Sequence, residues 1–342
     1  MRVISHPNVN TAFYHGMIVI STEGVREDSR NGPVTVHPEP FTTVLNRPTE
    51  RVLFSAHRDA NPFFHLFESF WMLGGQNDPS FLNQYISDFG SRFAEEDDGL
   101  LWGAYGHRWR NHFEMDQIER AIELLDYDPT SRRAVIAMWD ADADLGASKK
   151  DIPCNTHIYL RLRPTGPLVG DGSLSGYLYH LDMTVCCRSN DAVWGLFGAN
   201  AVHFSVLMEY LAFRLDVGVG SMTTVSNNAH IYEATMGKFD PDEPVNDLYS
   251  KKIVSTTPLF AGVHPGDFDD ELKRWLREPR QHSYQEVPWS APMPFQDLLV
   301  PMARLHWMFK TSVKITEDDI NKVVPTDWRF AARQWLKKRG KI

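Results

Sequence analysis

The run Asn61-Pro62-Phe63-Phe64-His65-Leu66-Phe67-Glu68-Ser69-Phe70-Trp71-Met72-Leu73-Gly74-Gly75 constrains this chain more than any other stretch. A proline near its first turn and two glycines after its last bound a helix. Nearly every side chain between them is large and apolar, so the helix has to be covered on most sides. Such a helix needs a core built around it. The 342 residues, 42% hydrophobic and 23% charged, are enough to build one without staples. Glu68 stands in the middle of the run. A carboxylate there is costly unless it is paired or used. Lining a wet polar cavity would make it tolerable and could raise its pKa toward neutrality. A partly exposed or structurally paired glutamate fits the same pattern.

A second constraint is Asp151-Ile152-Pro153-Cys154-Asn155-Thr156-His157, followed by an alternating apolar strand over residues 158–162. Proline fixes the backbone that enters Cys154, so the thiol sits on rigid structure rather than a loop tip. That is where a nucleophile belongs if it must reach one carbon at one angle. A buried structural cysteine is the bland alternative.

The net charge of -9 argues against bulk nucleic-acid binding but leaves room for a local basic pocket. Three cysteines, two of them adjacent (Cys186 and Cys187), make no disulfide framework and imply a reducing, cytoplasmic setting. The first seven residues lack the apolar core of a signal peptide, and no apolar run approaches the length of a membrane span. No zinc-type cysteine spacing occurs, so no metal is expected.

In chain order, residues 8–60 read as β-rich and turn-rich, with a polar loop around Arg30 and a turn at Asn31-Gly32 before the strand Val34-Thr35-Val36. The acidic patch at 95–99 reads as a solvated turn. The glycines among aromatics over 101–110, Tyr105-Gly106 included, suggest close packing against a ligand or another backbone. Residues 116–126 form an amphipathic helix. Ser131-Arg132-Arg133 stands at the mouth of a strand over 134–138, where paired arginines can grip a phosphate or simply be solvated. A Gly/Pro-rich hairpin loop over 166–176 leads to an alternating strand over 177–187. That strand ends in Arg188-Ser189-Asn190-Asp191. A helix over 199–215 and a strand over 221–225 follow, the latter delivering Ser226-Asn227-Asn228-Ala229-His230-Ile231-Tyr232. These hydrogen-bonding groups suit sugar hydroxyls or a heterocycle edge. Residues 238–265 read as irregular, and helices over 268–278, 295–310 and 326–338 close the chain.

Over roughly residues 20–236 these stretches resemble the thymidylate synthase family, which includes the pyrimidine nucleotide hydroxymethylases. Six motifs stand in the family's order. Glu68 to Gly75 resembles its Glu-Leu-x-Trp-x-Leu-x-Gly helix, and Tyr105-Gly106 with Trp109-Arg110 its Tyr-Gly-x-x-Trp-Arg. Arg132-Arg133 resembles its arginine pair, and Pro153-Cys154 its nucleophile motif. Arg188-Ser189-x-Asp191 and Ala229-His230-Ile231-Tyr232 match two further signatures. The resemblance implies an α/β fold: a large mixed sheet forming a dimer face, with helices packed outside. It also implies one catalytic domain over 1–342 with a divergent helical region from 237 on.

The implied chemistry adds the Cys154 thiolate to C6 of a pyrimidine nucleoside monophosphate. C5 becomes enolate-like and attacks a one-carbon unit supplied by the co-substrate 5,10-methylenetetrahydrofolate. By resemblance, Arg188 stabilises Cys154 and binds the 5′-phosphate, with Arg30 and Ser189 on the same group. Arg132 and Arg133 come from the other subunit of a homodimer. Glu68 organises water and proton transfer over the base and the folate, and Tyr105 assists proton removal from C5. Asp191 contacts the pterin, and His230 and Tyr232 hold the sugar 3′-hydroxyl. The family needs no metal.

The departures carry information too. The run Trp194-Gly195-Leu196-Phe197-Gly198-Ala199-Asn200 is one residue longer than the family's usual step, with Asn200 as the base-reading amide. An Asn there goes with uracil and an Asp with cytosine, so dUMP is favoured over dCMP. Asn155 follows the nucleophile where many members carry His, and Cys187 precedes Arg188 where Gln is usual. The chain ends in a basic helix rather than the short apolar tail that seals the folate site in methylating members. A less sealed site favours water over hydride at the methylene intermediate, so a 5-hydroxymethyl product is expected. The alternatives are a conventional thymidylate synthase making dTMP and an inactive nucleotide- or RNA-binding relative.

Overall fold

A computed structural model describes residues 1–165, 178–260, 264–277 and 294–342. The hairpin loop expected over 166–176, residue 177 of the strand that follows and residue 278 lie outside the described residues. Six strands form the main sheet in the order β1 (Arg2–His6), β4 (Phe41–Leu45), β9 (Gly218–Ser226), β7 (Tyr179–Cys187), β6 (Asn155–Pro164) and β5 (Val135–Ala137). Pairs β1–β4 and β9–β7 are parallel and the rest antiparallel, so the sheet is mixed. Period-two alternation buries Ile158, Leu160 and Leu162 on β6 and Leu181, Met183 and Val185 on β7. The opposite face leaves Val135 43% and Tyr159 47% exposed. A second sheet runs β2 (Val25–Ser29), β3 (Gly32–Val36), β10 (Ala229–Tyr232) and β8 (Asn190–Asp191).

Helix α2 (Pro62–Leu73) is the core helix expected, capped by Asn61, whose side chain accepts from the backbone of Phe63 and Phe64. Eleven of its twelve residues are buried, and the exception is Glu68. The shorter helices α3 (Phe89–Phe93), α4 (Tyr105–Arg110), α5 (Gln117–Tyr127) and α6 (Ala141–Asp144) follow it.

Two sequence expectations fail here. Residues 8–60 are not simply strands and turns, because Val9–Glu23 forms a fifteen-residue helix, α1, capped by the Asn8 side chain. Its Val, Ile, Thr and aromatic residues read as strand formers, but burial of one face and a good cap override weak propensity. The second concerns apolar length. A π-helical segment, Ala192–Ala199, runs directly into α7 (Asn200–Arg214), giving 23 helical residues long and apolar enough to span a membrane. Sequence reading began the helix near 199 and so missed the join. The run is 83% buried and packs against α2 and the main sheet, as a core helix does. The π segment carries a kink at Gly198 (φ -107°, ψ -113°).

Past residue 238 come α8 (Pro265–Arg277), a π-helical turn Phe295–Leu299 leading into α9 (Val300–Thr311), then α10 (Glu317–Asn321) and α11 (Thr326–Lys338). Helices α9 and α11 pack on α2, with the Phe63 ring 5.3 Å from both His306 and Trp335. The basic C-terminal end folds back as well. Arg339 donates two 3.1 Å hydrogen bonds to Asp59, just before α2, and stacks over Trp335.

Candidate active site

A cavity of about 320 Å³ opens between α2, α4, the entry to β6 and the π segment. The buried face of α2 cannot turn without exposing its aromatics, so Glu68 is fixed toward this space. Close backbone approach shapes the opposite wall. A Cβ on Gly106 would sit 2.0 Å from the Met72 carbonyl oxygen, so α4 can lie against α2 only with glycine there. A Cβ on Gly103 would meet the Asp151 backbone oxygen at 2.8 Å and its carboxylate at 2.9 Å.

Cys154 lines the cavity directly before β6. Its carbonyl accepts from the Arg188 backbone N–H at 2.9 Å, tying it to the end of β7. Asn155, the residue where many members carry His, is fully buried and braces the strand by donating to the Cys186 carbonyl at 2.8 Å. Arg188 donates to the carbonyls of Pro153 (2.9 Å) and Ile152 (3.0 Å), and Arg30 to those of Lys149 (3.2 Å) and Lys150 (3.3 Å). Both cations therefore flank the run that carries Cys154, and neither lines the cavity. Burial pushes the Cys154 thiol up; Arg188 and Arg30 pull it down, while Asp151 and Asp191 oppose them. Burial wins, so at neutral pH the resting thiol is protonated despite its cations.

Tyr105 stacks on Phe204, and its hydroxyl accepts the Asn155 N–H at 3.3 Å. Burial, with Cys154, Cys187 and Asp151 nearby, pushes the phenol well above its ordinary range, so it keeps its proton and can donate into the cavity. Ser189 and Asp191 line the cavity. The Asp191 carboxylate caps the π segment, accepting from Val193 N–H at 2.7 Å and Trp194 N–H at 3.3 Å, and burial raises its pKa. Asn200 reaches the cavity from the first turn of α7 and donates to Asn190 Oδ1 at 3.2 Å. Asn190 is in turn anchored to Ser226 Oγ at 3.1 Å. Gly195 makes room for this amide pair, since a Cβ there would come within 2.7 Å of Asn190 Oδ1.

Other expected residues stand apart. His230 pairs in register with Asp191 across β10 and β8, and its Nδ1 lies 2.9 Å from Asn228 Oδ1. Tyr232 sits edge-on to His230 at 5.0 Å. Neither lines the cavity. Arg132 and Arg133 are exposed before the edge strand β5, outside this cavity.

Two groups in the wall escaped sequence reasoning. Asp151 is driven up to about 6, chiefly by burial, opposed by a hydrogen bond from the Gly103 N–H and reinforced by Glu68. His203 is buried on α7, its Nε2 2.9 Å from Glu68 Oε2. The signal for His203 was its spacing: three residues after Asn200 on a helix puts both on one face. Asp151 was visible only as part of the run that leads into Cys154.

A thiol at the entry to a strand, a core carboxylate and an oriented amide face one pocket, a set of groups suited to group-transfer chemistry. The thymidylate synthase family model matches residues 15–243, a span that contains every residue lining the cavity. The chain belongs to the thymidylate synthase family, and with it to the transferases. It is 41% identical over 355 aligned residues to a deoxyuridylate hydroxymethyltransferase of Pseudomonas phage M6, covering 99% of this chain and 95% of that protein. A deoxyuridylate hydroxymethyltransferase of Bacillus phage SP01 is 35% identical over 56% of this chain and 49% of its own length. A putative thymidylate synthase of Methanosarcina acetivorans is 28% identical over 68% of this chain and 90% of its own. The mixed sheet with helices packed on one face is the family's fold, as expected from the sequence.

Proposed function

We propose that this protein transfers a one-carbon unit from 5,10-methylenetetrahydrofolate to C5 of dUMP and releases 5-hydroxymethyl-dUMP. The observation that carries the reading is the convergence of Cys154, Glu68, Tyr105 and Asn200 on one cavity. The Cys154 sulfur attacks C6, and Arg188, Arg30 and Ser189 bind the 5′-phosphate beside it. The resting thiol is protonated, so its proton must leave as the nucleotide binds. Tyr105 assists removal of the C5 proton. Glu68 handles water and proton transfer, Asp191 meets the pterin, and His230 with Tyr232 holds the sugar hydroxyl.

Base choice follows from Asn200. With one N–H engaged by Asn190, its second N–H can donate to O4 and its carbonyl can accept from N3–H, the pattern of uracil. Water rather than hydride completes the product, a reading supported by the near full-length match to a protein named for hydroxymethyl transfer.

The working form is a cytoplasmic homodimer in which the 342 residues act as one catalytic unit. Its interface is the uncovered sheet face that carries Val135 and Tyr159, and Arg132 and Arg133 complete the partner's phosphate site. Mass spectrometry of products from dUMP and dCMP, offered side by side with the folate, tests the reading. Hydroxymethyl-dUMP with tetrahydrofolate is expected. Formation of dTMP with dihydrofolate would instead make the protein a methylating synthase, and no product would make it an inactive relative.

A further inference from the structure

The Glu68 carboxylate has a neighbour at ion-pair distance, His203, whose ring is not aligned to hydrogen-bond it. We propose that His203 is a positioning residue that, with Glu68, holds and aims the water adding to the C5 methylene, and so commits the reaction to the hydroxymethyl product. This rests on the hydroxymethyl reading above.

His203 is 5% exposed, and its ring enters the cavity wall one turn after Asn200. Its Nε2 lies 2.9 Å from Glu68 Oε2, yet neither atom has an aligned hydrogen-bond partner. Buried polar atoms are ordinarily satisfied. Two neighbouring orphans in the wall of one pocket call for a shared third partner. A water molecule suits both: it donates one hydrogen to Glu68 Oε2, accepts from His203 Nε2–H, and keeps a lone pair for the cavity. Around them stand Asp151, which interacts electrostatically with Glu68, and His65 one turn earlier on α2. A histidine serving only to tie α7 to α2 would be expected to make an aligned bond.

The water oxygen forms a bond to the exocyclic carbon. The electron pair of the C5–methylene double bond moves into the ring as the O4 enolate, and the water's proton passes to Glu68. The enolate then collapses, C5=C6 re-forms, and the C6–S bond breaks with its pair returning to the Cys154 sulfur. No oxidant or reductant is consumed. Without His203 the methylene still forms but waits for a nucleophile.

The test uses C5-tritiated dUMP, methylenetetrahydrofolate and added 2-mercaptoethanol, with tritium release, hydroxymethyl product and thioether product counted together. Tritium leaves before water adds, so it reads folding, binding and the Cys154 step. In wild type, tritium and hydroxymethyl-dUMP should appear in equal amounts. In His203→Phe, tritium release should stay within about threefold while hydroxymethyl product falls about tenfold and thioether rises. His203→Gln, which keeps a donor, should fall between the two. Equal losses of tritium and product in both variants, or an unchanged product ratio in either, would overturn the proposal. Wild type making dTMP would instead defeat the hydroxymethyl reading, and this inference with it.

Discussion

Two buried acid–base pairs sit close together in this protein, and they are built to opposite ends. Arg108 on α4 and Asp144 at the end of α6 both have fully buried side chains. Arg108 donates to both Asp144 oxygens at 2.8 Å and to the carbonyls of Met138 and Trp102. Asp144 also accepts from the Trp102 indole and the Asp140 N–H. Burial pushes the Asp144 carboxyl up, but these bonds outweigh it and hold the acid below its ordinary range. Glu68 and His203 are nearly as buried and as close, yet share no aligned bond. In the first pair only Arg108 Nε is left without a partner, and these aligned bonds fix that part of the wall. The second pair keeps its hydrogen-bonding capacity for what enters.

The contrast is sharpest where one partner is removed. Arg108→Met leaves Asp144 charged and buried, and should cost about 3–5 kcal/mol of stability in urea unfolding. Glu68→Gln should cost less than about 1 kcal/mol, because no aligned bond is lost at Oε2. The same change should lower hydroxymethylation at least 100-fold, by about the amount expected of a lost general base. A strongly destabilised Glu68→Gln, or a well-folded Arg108→Met, would erase the distinction between the pairs.

Asp151 offers a smaller effect with a definite sign. Its folded pKa of about 6 lies above its unfolded value, so between about pH 4 and 6 the native state keeps a proton that the unfolded chain has released. Stability from this group is present at low pH and lost as pH rises through about 6. Asp151→Asn should therefore stabilise the protein above pH 6, by at most about 3 kcal/mol, with the gain vanishing below about pH 4. A gain that persists in acid would mean the carboxyl is not held in this way.

The smallest change tests the amide pair. Gly195→Ala brings a methyl group against Asn190 Oδ1 and should cost stability by only about 1 kcal/mol. It should also displace the Asn200 amide, narrowing the kcat/KM preference for dUMP over dCMP in a side-by-side assay.

Much of this was legible in the sequence because the decisive residues sit on strongly patterned elements. The apolar run around Glu68 could be only a core helix. Pro153-Cys154 announces a rigid strand entry, and glycine at 106 announces close backbone approach. What escaped depends on tertiary context. Helix α1 is rich in strand formers and is helical because its face is buried and Asn8 caps it. Asp151 and His203 gain their meaning from what they face across the cavity, which no local pattern encodes. The Cys154 thiol shows the limit most clearly. Its cations were readable, but the burial that outweighs them was not.

Everything proposed for the cavity depends on a sulfur–carbon bond between Cys154 and C6 of the nucleotide. C5-tritiated dUMP, given to wild type and to Cys154→Ala, measures it most directly. Tritium should be released by the wild type and not by the variant, while the variant still binds dUMP through its phosphate. Release by Cys154→Ala at a rate near that of the wild type would contradict the account.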